Sequence, residues 1–168
     1  MLEMAMTVLP RAGFSQYEVA SFARPGAECR HNLNYWRRGP YLGLGAAAHS
    51  FFGDRRWANH RDPDSYLAAL ARGESPVAFR EEIGPWKALM ETMMLGLRLM
   101  EGLSCAALSS LTGLSVEELF GATLAFLHAE GLIGLEGGFL RLTPRGILFA
   151  DYVVRRLVQS LPEELPAP

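Results

Sequence analysis

Strong helix start and stop signals divide the second half of the sequence into short segments, and this limits the folds that it can adopt. Apolar side chains recur at helical spacing over residues 86–100, and the pattern ends near Gly102. A serine at position 104 can cap a second helix that runs to residue 111. The S-x-x-E capping box at residues 115–118 predicts a third helix, which extends to residue 130.

A predicted β-hairpin follows these helices. Residues 132–135 and 139–142 are apolar enough for two short strands, and the intervening Glu136-Gly137-Gly138 is typical of a tight turn. Thr143 and Pro144 then start a final helix. Helix, turn, helix, hairpin and helix is the order of a winged helix. We therefore predict a winged-helix-like C-terminal domain over residues 85–161, followed by a tail over residues 162–168.

The first half mixes helix and strand signals. A helix ends near Leu9, and residues 14–22 favour a strand. The run GPYLGLGAAAHSFFG favours a second strand, which its two apolar faces assign to a parallel sheet or, alternatively, to a buried antiparallel position. Asp62 and Pro63 start a short helix that stops at Gly73. Because residues 74–84 are polar and irregular, we predict an α+β fold with a linker there.

Positive charge is concentrated in one segment. Residues 24–61 contain seven arginines and two acidic residues, so the segment is net +5 within a chain of net charge -2. An anionic ligand is expected there. The predicted recognition helix of the winged helix, residues 116–130, contains three glutamates and no Lys or Arg. Because DNA binding depends on cationic side chains, we expect an interaction or lid module and no DNA partner.

Cysteine usage and the absence of long apolar segments suggest a compartment. Only Cys29 and Cys105 occur, and a small extracellular scaffold would carry more. The N-terminus has Glu3 where a secretory signal would have Lys or Arg. No segment approaches the ~18 apolar residues of a membrane helix. We therefore expect a soluble, cytoplasmic protein, with no membrane association indicated.

The stretch CRHNLNYWRR combines the groups that a planar metal-containing ligand requires. His31 offers an imidazole nitrogen that can ligate haem (heme) iron, and Tyr35 and Trp36 offer flat faces for a macrocycle. Arg30, Arg37 and Arg38 could pair with porphyrin propionates. A histidine among aromatic residues is also often a hydrogen-bonded structural residue. Both interpretations are open on these residues alone.

Several separated motifs resemble one family. The run YEVASFARPGAECRHNLNYWRRGPYLGLGAAAHSFF resembles the radical S-adenosylmethionine family of oxygen-independent coproporphyrinogen III oxidase-like proteins, more closely the branch described as haem chaperones. ETMMLGLRLMEGL continues the likeness, and LHAEGLIGLEGGFLRLTPRGILFADYVVRRLV resembles the C-terminal domain of that family. The likeness covers nearly the whole chain. It implies that residues 1–73 are the last strands and helices of a partial (β/α) barrel.

The resemblance also implies roles for particular residues. In that family HNxxYW is associated with haem binding, which assigns His31, Asn32, Tyr35 and Trp36 to a haem site with His31 as the candidate axial ligand. The family usually shows Gly-Pro-Gly-Ala-His-Ser where this chain has Gly45 to Ser50, with Ala46 and Ala47 replacing proline and glycine. We therefore expect His49 to be a packing residue, with a secondary contact to the haem ligand as the alternative.

The family chemistry needs more cysteines than this sequence supplies. Its members hold a [4Fe-4S] cluster with a CxxxCxxC motif, and S-adenosylmethionine binds that cluster; neither cofactor is expected on this chain. The leading hypothesis is a haem- or porphyrin-handling C-terminal portion that is not catalytic alone. The alternatives are coproporphyrinogen oxidation and a winged-helix interaction module. Expected partners are a tetrapyrrole, the missing barrel portion or a haem-accepting protein.

Overall fold

The computed structural model describes residues 1–161 and has a mixed α+β fold, as predicted. Contacts divide it into two compact units. The first unit consists of Met1–Arg38 and the described residues from Leu89 onward, and the second unit is Gly39–Ala88. No helix among the described residues has the length and apolarity that a bilayer crossing requires.

The first unit contains most of the helices. Its N-terminal elements are α1 (Leu2–Val8), a 3-10 turn (Pro10–Ala12), β1 (Ser15–Glu18), β2 (Ser21–Ala23) and α2 (Arg30–Trp36). Its later elements are most of α4 (Pro85–Gly96), then β6 (Leu103–Ser104), α5 (Cys105–Thr112), α6 (Val116–Ala129), β7 (Ile133–Glu136), β8 (Phe139–Leu142), α7 (Pro144–Leu148) and α8 (Ala150–Ser160). The second unit contains β3 (His49–Phe52), β4 (Arg55–Asn59), α3 (Pro63–Ala71) and β5 (Val77–Glu82).

Local signals placed the later helices of the first unit correctly. Ser104 and Thr143 accept capping hydrogen bonds from the amides of Ala107 and Gly146. The predicted capping box is present, with reciprocal bonds between Ser115 and Glu118. These bonds to the Glu118 carboxylate lower its pKa. Strand β8 lies between β6 and β7 in a three-stranded antiparallel sheet.

The core of the first unit is formed by the inward faces of α4, α5, α6 and α8 and by β8. Met93 on α4 is fully buried, so this methionine packs the core rather than lining a cofactor cavity. Two helices differ from prediction, because α6 is interrupted at Gly121 and the final helix divides at Phe149. The fully buried side chains of this core include Leu89, Met93, Leu97, Leu108, Leu127, Leu140, Val153 and Leu157.

The second unit is built on an antiparallel sheet with the strand order β3-β4-β5. The predicted parallel strand is therefore wrong, and the run that suggested it contributes only β3. The predicted linker over residues 74–84 also needs correction, because residues 77–82 form β5. Phe51, Ile83 and Ala88 make a small buried cluster against Tyr41.

Residues 1–38 are grouped differently from the sequence-based division at residues 73–85. The segment predicted as one strand is the hairpin β1–β2, and β1 continues into pairing with the chain after α4. The Val19 amide donates to the Arg98 carbonyl at 2.9 Å, and the Met100 amide donates to the Tyr17 carbonyl at 3.1 Å. The N-terminal segment is therefore attached to the chain after α4 within the first unit.

The glycine-rich run before β3 makes a close backbone contact. A Cβ on Gly43 would overlap the His49 carbonyl oxygen, so the close approach expected from the small residues is made by the chain itself. Ala47, which replaces the usual family glycine, has φ of 59°. That left-handed conformation costs an L-residue about 1–2 kcal/mol.

Replacing Ala47 with glycine should stabilise the protein. Relief of the left-handed strain exceeds the added entropy of the unfolded chain, so Ala47→Gly should raise the free energy of unfolding by roughly 0.5–1 kcal/mol. Urea denaturation measures the difference. Ala48 does not share the positive φ, so Ala48→Gly should lower stability by about 0.5–1 kcal/mol. Equal losses in both variants would contradict the conformation at residue 47.

Candidate functional site

Helix α2 carries the four predicted haem-site residues and keeps its histidine in solvent. The helix buries none of its residues, and His31 is exposed in its first turn. The rings of His31 and Tyr35 lie edge to face, with centroids 4.6 Å apart. Because residues four apart share a helix face, these two side chains form one surface. An exposed imidazole beside an aromatic ring is free to meet a planar ligand there.

Trp36 lies on another face of α2, with Asn32 one turn before it. The two faces are separated by about 100° around the helix axis. The guanidinium of Arg98 stacks over the Trp36 ring at 4.6 Å. The indole Nε1 is buried, and no described residue accepts a hydrogen bond from it. The structure therefore brings His31 and Tyr35 together and places Trp36 in a separate contact with the chain after α4.

Two of the three arginines predicted to contact propionates are paired with glutamates of the protein. Arg37 makes a bidentate pair with Glu101, at 3.0 and 3.1 Å, and this bonding raises the pKa of Arg37. Arg38 donates to Glu91 at 3.1 Å, and both side chains are largely buried, with 15% and 16% exposed. Arg30 is exposed and forms no ion pair within the described residues.

Arg98 is the site residue that the sequence did not reveal. Its guanidinium contacts Trp36 on one side and the carboxylate of Glu18 on the other, at 3.3 Å. Glu18 is only 2% exposed and accepts a second hydrogen bond, from the Ala20 amide. These contacts join residues 80 positions apart, and no local pattern identifies such a pairing.

His49 lies in the second unit, on β3 opposite Ala58. Its side chain is exposed, and its backbone carbonyl is the group that approaches Gly43. The close packing at this position therefore involves the main chain of His49, whereas its imidazole faces solvent.

The two cysteines lie on different helices and do not form part of a metal-binding cluster within the described residues. Cys29 is exposed at the start of α2, and Cys105 is half-buried at the start of α5. Burial raises the pKa of the Cys105 thiol, and the nearby Glu117 charge adds to that shift. Among residues 1–161, no three His, Cys, Asp or Glu side chains converge as a metal site.

The cavity beside α2 is small. The cavity that Trp36, Arg37 and Arg38 help to line has a volume of about 160 Å³. Sites for drug-sized ligands are typically about 300–1,000 Å³, so this space is too small for a macrocycle. His31 and Arg30 are exposed and Tyr35 is half-buried, so an imidazole, a cation and part of an aromatic ring lie at an open surface.

Comparisons with known proteins identify what the chain is similar to. Residues 83–149 match the HemN C-terminal domain family. Heme chaperone HemW from Mycobacterium tuberculosis is 42% identical over 156 residues, which are 93% of this chain and 38% of that protein. Heme chaperone HemW from Bacillus subtilis is 33% identical and covers 91% of this chain and 40% of its own length.

One solved structure shares the fold. Coproporphyrinogen III oxidase (HemN) from Escherichia coli, described as a radical SAM enzyme, superimposes with a TM-score of 0.71 at 17% identity. The match covers 95% of this chain and 40% of that chain.

The chain belongs to the radical S-adenosylmethionine family of coproporphyrinogen III oxidase-like proteins. Its relatives at 42% and 33% identity are named heme chaperones. It spans about two fifths of the length of the relatives that it matches.

The two arginine pairs should contribute differently to stability. Arg38→Met removes the cation beside the largely buried Glu91 carboxylate and should lower the free energy of unfolding by about 2–4 kcal/mol. Arg37→Met removes a pair that is 54% and 48% exposed, so its cost should stay below about 1 kcal/mol. Urea denaturation of both variants measures the contrast. Equal losses would show that the Arg38 pair is not sequestered from water.

Proposed function

We propose that this chain handles haem or a related tetrapyrrole, and that the His31–Tyr35 face of α2 is the contact surface. The observation that carries the proposal is an exposed imidazole held against a tyrosine ring within the HNxxYW motif. Its relatives named heme chaperones support the same ligand class. Haem would supply an iron centre, and the imidazole nitrogen of His31 would hold it.

The ion pairs near α2 indicate which arginine is proposed to contact the ligand. Arg30 is the arginine proposed to meet a propionate, since it is exposed and lies beside His31. Arg37 and Arg38 are committed to Glu101 and Glu91, so their proposed role is to fix the end of α2. Haem held on an open surface would exchange readily with another protein, which suits transfer better than permanent storage.

A second candidate function is coproporphyrinogen oxidation, the activity named for the HemN structure. We propose that this chain does not catalyse it alone. The 168 residues contain two cysteines and no CxxxCxxC, whereas a [4Fe-4S] cluster is held by convergent thiolates. In the family, that cluster and S-adenosylmethionine would belong to the portion of the relatives that this chain does not span.

The remaining features suit contacts with protein rather than with DNA. We propose that residues 1–73 correspond to the end of a partial (β/α) barrel and that α5, α6, β7, β8 and α7 form a winged-helix-like module. The exposed Glu117 and Glu118 at the start of α6 would repel phosphates. On α1, Met4 is 69% exposed and Val8 is 53% exposed, which suits packing against another polypeptide. The missing barrel portion or a haem-accepting protein is the proposed partner, in the cytoplasm.

Haemin titration tests the role of His31. The wild-type chain should shift the Soret band on binding, and His31→Ala should weaken binding by about tenfold or more and change the band position, because the iron loses its nitrogen ligand. His128→Ala is the matched control, since it removes another exposed imidazole from α6. Identical spectra and affinities for wild type and His31→Ala would remove His31 from the site.

Iron and sulfide analysis tests catalytic incompetence. After anaerobic reconstitution, the wild-type chain should hold no more iron than a Cys29→Ala/Cys105→Ala variant, because two distant thiols cannot hold a cubane. Electron paramagnetic resonance after reduction provides the independent readout. A stoichiometric four-iron cluster in the wild type that is lost in the variant would refute this half of the proposal.

A further inference from the structure

The HNxxYW motif presents two faces of α2, one with His31 and Tyr35 and one with Trp36, and Arg98 contacts the Trp36 face. We infer that Arg98 is a positioning residue for the candidate haem helix, and that Trp36 is the platform for its guanidinium rather than a face for the macrocycle. The inference rests on the proposed function where it concerns haem. The attachment of α2 to the chain after α4 can be tested without any ligand.

The buried carboxylate of Glu18 fixes the position of Arg98. Its side chain is 2% exposed, so its carboxylate is almost completely withdrawn from water. The Ala20 amide donates to Oε1 at 3.0 Å, and Arg98 donates to Oε2 at 3.3 Å. Because a buried carboxylate requires a cationic partner, Glu18 fixes the position of the Arg98 guanidinium.

Glu18 and the β1–β2 hairpin together orient Arg98. The Arg98 carbonyl accepts from the Val19 amide, so its backbone is attached to the β1–β2 hairpin. With both backbone and guanidinium held, the planar group lies 4.6 Å from the centroid of the Trp36 ring. A fixed cation over an indole is the stronger form of this interaction, because little side-chain freedom remains to be lost.

Helix α2 depends on contacts with other segments of the first unit. This helix has seven residues, no side-chain N-cap bond and no buried residue. Helices of this length are not stable alone, so its conformation depends on tertiary contacts. The contacts at its C-terminal end come from Trp36, Arg37 and Arg38, and that of Trp36 is with Arg98. Loss of Arg98 should therefore loosen the helix that presents His31.

The geometry also excludes a simple double role for Trp36. A porphyrin that stacked on the ring face occupied by Arg98 would have to displace the guanidinium from it. That displacement would also disturb the ion pair of the buried Glu18. His31 and Tyr35 lie on the neighbouring face, so a ligand can approach them while Arg98 stays in place.

Hydrogen exchange of the ligand-free chain tests the positioning role. Arg98→Met keeps most of the side-chain length but removes the cation, and Glu18→Gln in the same chain removes the carboxylate that would otherwise be stranded. This double variant should accelerate exchange of the Leu33 and Arg37 amides by about tenfold, relative to Glu18→Gln alone. Arg98→Lys with native Glu18 keeps the charge and should restore part of the protection.

A second stacked arginine provides the matched control. Arg156 lies 5.3 Å from the ring centroid of Phe126, within the same unit but on α8 and α6. Arg156→Met should leave exchange of the α2 amides unchanged, because its aromatic partner is elsewhere. If Arg156→Met and the Arg98 double variant accelerate α2 exchange equally, Arg98 has no specific positioning role and the inference is overturned.

Haemin binding distinguishes this inference from the proposed function. Trp36→Leu should weaken haemin binding about as much as the Arg98 double variant does. Because both changes act through one contact, combining them should weaken haemin binding little further. Both should leave the Soret position that His31 confers unchanged at saturation. A strictly additive loss would instead make Trp36 a direct ligand contact. If His31→Ala has no effect on haemin, the haem proposal fails while the exchange result still decides the role of Arg98.

Discussion

The buried Glu18 carboxylate is the constraint on which the arrangement of the first unit depends. Removing a carboxylate from water costs several kcal/mol unless a charged partner and hydrogen bonds compensate. Arg98 and the Ala20 amide provide that compensation, and the backbone bonds of Tyr17 and Val19 hold the same two segments together. The N-terminal hairpin is therefore attached to the chain after α4 by a contact that tolerates little displacement.

The net charge of a sequence segment does not show which of its charged side chains form ion pairs in the fold. The segment 24–61 is net +5, yet Arg37 and Arg38 pair with glutamates from α4 and the turn that follows it. In the second unit, Arg55 and Arg56 pair with Glu82 and Glu81 on β5. Four of the seven arginines are thus neutralised by later residues. What remains for an anionic ligand is a smaller set, of which Arg30 lies beside His31.

Local signals predicted the later helices and the β7–β8 hairpin but missed α2 and β5, for a physical reason. A capping box such as Ser115–Glu118 is complete within four residues, so the sequence contains all the information that it needs. Strand β5 contains exposed Arg80 and Glu82 and resembles a linker, because its stabilising partner is β4, about 20 residues away. The β1–β2 turn has neither glycine nor proline, so no local signal marked it. Helix α2 itself was not predicted, so neither the shared face of His31 and Tyr35 nor the contact of Arg98 with Trp36 followed from the sequence.

A comparison of energies favours the His31 face over the Trp36 face for a ligand. A desolvated cation–π contact contributes about 2 kcal/mol, and a buried carboxylate that loses its partner costs about 3–5 kcal/mol. A macrocycle on the Arg98-covered face of Trp36 would have to exceed both terms before any net affinity appeared. On the other face, His31 is already exposed and already oriented by Tyr35, so binding there requires no rearrangement of the buried pair. Under the proposed function, the motif would combine two functions on one short helix, since its tyrosine face would meet the ligand while its tryptophan face would secure the helix that carries it.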